Sequence, residues 1–186
     1  MEMQVSAWYP VFLNITDRRC LVIGGGNIGE EKVQKLLDCG AKVVVISPEV
    51  NDRVRELASR GQVTWIQRKY QPQDLRGALL AIAATNDNNV NKRIAKEADE
   101  QKVLLNVVDV THLCTFIAPS VARRGNVTVA TSTGGASPAL ARKFREELSQ
   151  SHILQYADLA PLLSQARSDL KRRGATVHPD HWQQCI

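Results

Sequence analysis

Leu21-Val22-Ile23-Gly24-Gly25-Gly26-Asn27-Ile28-Gly29 is the stretch from which the rest of this chain can be read. An apolar strand runs into Gly-x-Gly-x-x-Gly, and a helical pattern follows at once. That order is what a dinucleotide requires. Gly24 allows the tight turn, Gly26 lets the backbone approach a pyrophosphate, and Gly29 lets the helix pack close to the strand. The helix N-terminus then presents unpaired N–H groups to the anion. Gly24, Gly25 and Gly26 are therefore candidate cofactor contacts.

Outward from this loop the periodicities alternate. Gly29, Val33, Leu36, Leu37 and Gly40 share one helical face, and Gly40 stops the helix. Lys42 to Ser47 is a second β-branched run, ended by Pro48. Val50, Val54, Leu57 and Ala58 mark a second helix, ended by Gly61. Val63–Gln67, Leu79–Ala84 and Val103–Val107 read as further strands, with a helix at Val90, Ile94 and Ala98. Strands alternating with helices mean βαβ units and a parallel sheet. Right-handed crossovers then give an α/β, Rossmann-like fold with helices on both faces. Its ligand belongs at the C-terminal strand ends. The residues just past those ends are Gly24 to Gly26, Ser47 to Glu49, Thr85 to Asp87, and Asp109.

Three of these positions bear directly on chemistry. An acid about 20 residues past the glycines usually bonds the adenosine ribose. Here Ser47 holds that place and Glu49 follows, and either could reach a ribose hydroxyl. No arginine adjoins Ser47 to meet a 2′-phosphate (the nearest is Arg53), so NAD is favoured over NADP. Asp109 could act as a general base if partial burial tunes it, or it could simply form the turn that ends its strand. Asn106, inside an apolar strand, needs a hydrogen-bond partner.

The alternation stops near residue 113. Cys114–Pro119 and Asn126–Ser132 read as a pair of short strands around Arg123-Arg124-Gly125. Thr133-Gly134-Gly135-Ala136-Ser137-Pro138 follows. Ser137 suits a helix cap and Pro138 the first helical position. The glycine loop is either a second anion site or only a turn. Arg142 and Arg145 lie on one side of the following helix and could bind carboxylates. Ile153 to about Arg173 reads as an amphipathic helix. The expected organisation is a cofactor domain over residues 1–113, a dimerisation and substrate segment over 114–150, and a helical region over 151–186.

Composition excludes several classes. The net charge is +5. Residues 114–186 carry nine Lys/Arg and five Asp/Glu, whereas residues 1–113 carry fifteen and fourteen, so the excess lies in the C-terminal third. That asymmetry suits a polyanionic partner. Nucleic acid is disfavoured, because the tail offers only Tyr156 and Trp182 for stacking. No apolar run approaches the roughly 20 residues that span a bilayer, and no signal peptide is recognisable. A soluble cytoplasmic protein is expected. Cys20, Cys39, Cys114 and Cys185 form no CxxC pair and read as reduced, buried thiols. His178-Pro179-Asp180-His181 reads as tail polarity, so no metal site is expected.

Four stretches together resemble the precorrin-2 dehydrogenase family, found at the N-terminus of bacterial siroheme synthases and as a stand-alone protein. They are Gly24–Gly29 with Lys32 and Leu36-Leu37; Ala83-Ala84-Thr85-Asn86-Asp87 with Val90-Asn91; Asn106-Val107-Val108-Asp109 with Phe116 and Pro119; and Thr133-Gly134-Gly135-Ala136-Ser137-Pro138-Ala139-Leu140-Ala141-Arg142. The resemblance implies NAD-dependent oxidation of precorrin-2 to sirohydrochlorin, with iron insertion in some members, and a homodimer. It implies nucleotide contacts at Asn27, Ile28, Pro48 and Glu49, and an acid at Asp109. Position 29 is glycine where the family often has alanine, and either residue is expected to fit. A polycarboxylate substrate also suits the charge asymmetry. Asn106, Thr133, Gly134, Gly135, Ser137, Arg142 and Arg145 are the expected substrate-facing set, with the tetrapyrrole between the glycine-loop crevice and the basic segment. Thr85 is added to the cofactor set. The competing reading is a non-catalytic NAD-sensing module, which needs neither Asp109 nor the Thr133–Arg142 segment.

Overall fold

Alternation along the strands divides the core of the first unit into two halves. In the computed structural model, which describes residues 8–175 and His178, Cys20 and Val22 of β1 (Arg19–Ile23) face one cluster, and Leu21 and Ile23 face the other. The first cluster takes Val43 and Val45 of β2 (Lys42–Ile46). It also takes Val33 and Leu36 of α1 (Asn27–Leu37), and Val54 and Leu57 of α2 (Asp52–Ser59). The second takes Ala81 and Ala83 of β4 (Leu80–Ala83), Leu105 and Val107 of β5 (Leu104–Val107), and Ile94 and Ala98 of α3 (Asn88–Gln101). Strands buried on both faces read as continuous apolar runs, as these do. Each fully buried branched side chain contributes about 1.5–3 kcal/mol against the entropy of ordering it.

With β3 (Val63–Ile66), the five strands form one parallel sheet in the order β3-β2-β1-β4-β5. The register aligns Ile23 with Ile46 and with Ala83, and Ala83 with Val107. Gly24, Ser47, Ala84 and Val108 therefore leave the sheet along one rim. The chain winds outward from β1 to β3 and then crosses to β4 on the other side. The switch point thus lies between β1 and β4, where doubly wound sheets bind ligands. The expected Rossmann-like fold is the observed one.

The β3–β4 crossover contains no helix. Leu75 and Tyr70 fill that part of the second cluster instead. Arg68 holds Asp74 through two bonds of 2.8 and 2.7 Å. Buried Glu97 on α3 receives the Tyr70 hydroxyl at 2.5 Å and the Leu75 N–H at 3.2 Å.

The chain divides into two compact units at Ala118–Pro119, beyond the expected boundary at 113. The reason is local. The N–H groups of Thr115 and Phe116 both donate to the Leu105 carbonyl, and Thr115 Oγ1 accepts from Leu105 N–H at 2.7 Å. These bonds tie residues 114–116 to β5, so the expected strand over 114–119 does not form.

In the second unit the hairpin is β6 (Ser120–Arg124) and β7 (Val127–Thr131), joined across Gly125-Asn126. The arginines assigned to the turn are strand residues, and Arg124 makes a bidentate pair with Asp158 at 3.1 and 2.6 Å. α4 (Pro138–Gln150) packs on this hairpin, with Thr131 Oγ1 donating to the Ala141 carbonyl at 3.1 Å. Residues His152–Leu159 are 3₁₀, and α5 (Ala160–Arg172) follows. The single helix expected over 153–173 divides there because Pro161 fits only a first helical turn.

Among the described residues no helix is long and apolar enough to cross a membrane. Cys20 is buried, Cys114 is half-buried and Cys39 is exposed, so the buried-thiol expectation fails at Cys39. Pro179, Asp180, His181, Trp182 and Cys185 lie outside the described residues.

Candidate functional site

The glycine loop is shaped by what crowds it and by what leaves it open. Gly24 sits at φ +117°, and a Cβ there would lie 2.3 Å from the Ala84 carbonyl oxygen. Gly25 is equally confined, 2.4 Å from the Glu49 carbonyl oxygen and 2.5 Å from Val50. A Cβ at Gly29 would come within 2.3 Å of the Gly24 carbonyl oxygen. Alanine at 29 therefore does not fit unless the helix moves, contrary to the expectation that either residue would serve. Gly26 differs, with nothing within 4 Å of its Cβ position. It is also the N-cap of α1 and supplies no side-chain cap. By contrast, α2, α3 and α4 are capped by Asn51, Asp87 and Ser137. The first-turn N–H groups of α1 thus face open space, which fits a pyrophosphate.

At the end of β2 the two ribose candidates have different roles. Ser47 is buried, its hydroxyl donates to the Glu49 carbonyl at 2.6 Å, and its own carbonyl accepts from Trp65 Nε1 at 2.9 Å. Pro48 and Glu49 are exposed. Ser47 therefore shapes the turn, and Glu49 is left exposed at its far side. Asn51, not singled out from sequence, ties this end together. Its N–H donates to the Gly25 carbonyl at 2.9 Å, and its Nδ2 reaches Glu30 at 2.5 Å and Asn27 at 3.3 Å.

A cavity of about 240 Å³ opens at the ends of β4 and β5, bordered by Ile28, Thr85, Asn86, Asn91, Val108 and Asp109 among others. Ile28 and Thr85 of the expected cofactor set and Asp109 of the catalytic set therefore meet in one place. Asp109 is exposed, at φ +60° in a turn closed by Val110 N–H to the Val107 carbonyl at 3.2 Å. The partial burial asked of it is absent. The turn-forming reading is the one this geometry matches, and the turn sets Asp109 on the cavity border. Cys114 braces that turn: its Sγ lies 3.1 Å from Val107 N, 3.3 Å from the Val107 carbonyl and 3.5 Å from that of Val110. Burial pushes the Cys114 thiol pKa up, which keeps it a neutral donor. Asn106 is not brought to the cavity lining. Its Nδ2 donates to the Phe116 carbonyl at 3.1 Å, which is the partner its burial demanded.

In the second unit, the Thr133 hydroxyl donates to the Ser137 carbonyl at 3.0 Å and accepts from Ser137 N–H at 2.9 Å. Ser137 Oγ accepts from Leu140 N–H at 3.2 Å. These groups are engaged in closing the Gly134-Gly135 loop and starting α4. Arg142 is exposed, and half-buried Arg145 pairs with its neighbour Glu146 at 3.0 Å. No group of three or more His, Cys, Asp or Glu among the described residues could hold a metal ion.

Residues 11–120 match the sequence model of a family described as "Putative NAD(P)-binding", and residues 124–151 match one described as "Sirohaem biosynthesis protein central". The chain is 39% identical over 167 residues to the siroheme synthase of Methylobacillus flagellatus. It is 39% identical over 181 residues to that of Nitrosococcus oceani. These alignments cover 90% and 96% of this chain but only 36% and 39% of the relatives, so the chain spans little more than a third of their length. A solved structure described as "SirC, precorrin-2 dehydrogenase" superposes with a TM-score of 0.78 at 29% identity, over 95% of this chain and 86% of that one.

Proposed function

The chain belongs to the NAD(P)-binding family whose sequence model covers residues 11–120, and from that premise we propose that it is an NAD-dependent dehydrogenase that oxidises precorrin-2 to sirohydrochlorin. The observation that carries this reading is the match to a precorrin-2 dehydrogenase structure over 95% of the chain. The geometry of the first unit supports it. The uncapped first turn of α1 over Gly26 would hold the pyrophosphate, with Gly24 and Gly25 shaping the approach and Asn27 and Ile28 alongside. Glu49, presented by Ser47 and Pro48, would take the ribose hydroxyls, and the lack of an adjoining arginine favours NAD over NADP.

Bound there, NAD would supply the hydride acceptor for a two-electron oxidation. The chain must then accept the accompanying proton. Asp109, beside Thr85 on the cavity border, is the carboxylate placed to do so. Arg142 and Arg145 are the guanidiniums we assign to substrate carboxylates. Thr133 and Ser137, whose hydroxyls are bonded within the Gly134-Gly135 loop and the first turn of α4, support that helix, and Asn106 supports the Asp109 segment.

We further assign a homodimer built through the second unit. Its buried apolar residues among those described are Ala122, Ala141, Leu154 and Ala157. Val121, Leu140, Phe144, Ile153, Tyr156, Leu159 and Leu162 are exposed. So much uncovered apolar surface on so thin a core suits a subunit interface. We assign the cytoplasm as its location, where NAD and its reduced form are at hand.

Anaerobic incubation with precorrin-2 and NAD tests the proposal. NADH and sirohydrochlorin should rise together by absorbance, in equal amounts. Absence of both would overturn it. Ferrous iron added afterwards decides whether metal insertion follows.

A further inference from the structure

The cavity at the ends of β4 and β5 is bordered by one polar side chain with a buried atom and no donor for it. Asn91, on α3, is only 2% exposed. Its Nδ2 donates to the Thr85 carbonyl at 3.1 Å. A carbonyl can only accept, so the nitrogen must face Thr85 and the amide cannot be turned round. The orientation of Oδ1 is thereby fixed, and this oxygen is buried with no hydrogen-bond partner among the described residues. Buried side-chain acceptors are ordinarily satisfied, so this one calls for a group that brings an N–H or O–H.

The neighbouring groups narrow the chemistry. Thr85 Oγ1 already accepts from Asp87 N–H at 3.1 Å, and the Asp109 carboxylate is another acceptor. Ile28, Val108 and Val110 add apolar surface. Asn86 and Asn88 add amides that both donate and accept, so the border combines apolar side chains with acceptors and donors, which suits a flat ring carrying a primary amide. Glycine-loop glycines and the ribose-facing Glu49 have no part in this selection, because they belong to the other end of a dinucleotide.

We infer that Asn91 is a specificity-determining residue of the cofactor site, whose Oδ1 accepts a hydrogen bond from the carboxamide NH2 of the nicotinamide. This rests on the dinucleotide reading of the cleft. Its bond to Thr85 orients the amide, and its oxygen tells a carboxamide from an isosteric ketone.

Calorimetric titration of the full chain with three dinucleotides tests this without turnover. They are NAD, thionicotinamide adenine dinucleotide, which keeps the NH2, and 3-acetylpyridine adenine dinucleotide, which replaces it with methyl. The unaltered chain should bind the first two within about 2-fold of each other and the third about 10-fold more weakly, one hydrogen bond's worth of affinity. In Asn91→Ala that discrimination should fall to about 2-fold or less, with NAD weakened. If Asn91 only ties α3 to β4, the variant weakens all three ligands alike and their ratio is unchanged, which overturns the inference. Equal affinity of the unaltered chain for all three overturns it even if the variant fails to fold. Absence of NAD binding would overturn the dinucleotide reading as well, so the two failures are distinguishable.

Discussion

Asp109 stands at φ +60°, a backbone region that asparagine and aspartate enter more readily than other side chains except glycine. Asn and Ala replacements therefore separate its two roles. Asp109→Asn keeps the turn but cannot take a proton, so turnover should fall about 10²–10⁴-fold with the melting temperature held. Asp109→Ala should lose turnover and also melt earlier, because alanine is strained at positive φ. Full turnover of the Asn variant at saturating NAD and precorrin-2 would remove the base assignment. Burial separates the cysteines in the same way. Cys20 is buried and its thiol pKa is pushed up to about 11, mainly by desolvation, whereas Cys39 is exposed. Near pH 8 a maleimide should modify Cys39 in minutes and leave Cys20 unmodified until the chain unfolds, which peptide mass mapping would read. Sequence marked Asp109 by its place after β5. It gave Asn91 no role, although an asparagine beside Val90 and three residues before Ile94, on the face that α3 buries, was a readable signal.

The element that sequence left blank is the β3–β4 crossover, residues 68–78. It has no helical period and no strand alternation, because it is held by specific side-chain bonds rather than by a repeating apolar face. Asp74 shows how. Burial works against its ionisation, but the Arg68 hydrogen bond, the Gln71 N–H and the charges of Arg68 and Arg19 outweigh that and hold the carboxyl below the usual range. A carboxyl with a lowered folded-state pKa adds stability that is present above its unfolded value, near pH 4, and is lost as pH falls through the folded value. Arg68→Ala should therefore lower the melting temperature at neutral pH, and the difference from the unaltered chain should shrink below about pH 4. A difference constant from pH 7 to pH 3 would show that the pair contributes no pH-linked stability. The hairpin was misplaced for a related reason. The apolar run over 114–119 looks like a strand, but Leu105 captures its N–H groups and leaves pairing to residues 120–131.

At the scale of the molecule, the two units differ in how well they cover themselves. The first has two continuous clusters of branched side chains around a five-stranded sheet. The second is a two-stranded hairpin under α4 with Phe144 and Leu162 open to solvent, 43% and 62% exposed. Two-stranded sheets are marginal alone, so the proposed homodimer supplies what the second unit lacks. Phe144→Asp should shift the chain from dimer to monomer in sedimentation velocity at micromolar concentration and lower its melting temperature. Unchanged sedimentation would place the interface elsewhere.

The parallel sheet and the glycine turn at the end of its first strand were legible in the sequence itself, whereas the strand order β3-β2-β1-β4-β5 was not. The strand–glycine–helix order and the alternating periods are local patterns, and crossover handedness sets the helices on the faces of the sheet. Which polar groups are free was decided only by the tertiary structure. Ser47, Thr133 and Asn106 resembled ligand contacts in sequence, but each is engaged by a neighbour that folding brings to it. Asn91 keeps an unpartnered oxygen because the Thr85 carbonyl claims its nitrogen and no described residue claims the rest. A side chain's hydrogen-bonding capacity is fixed by its chemistry, but how much of it remains for a ligand depends on which partners the folded backbone sets beside it, near in sequence or far.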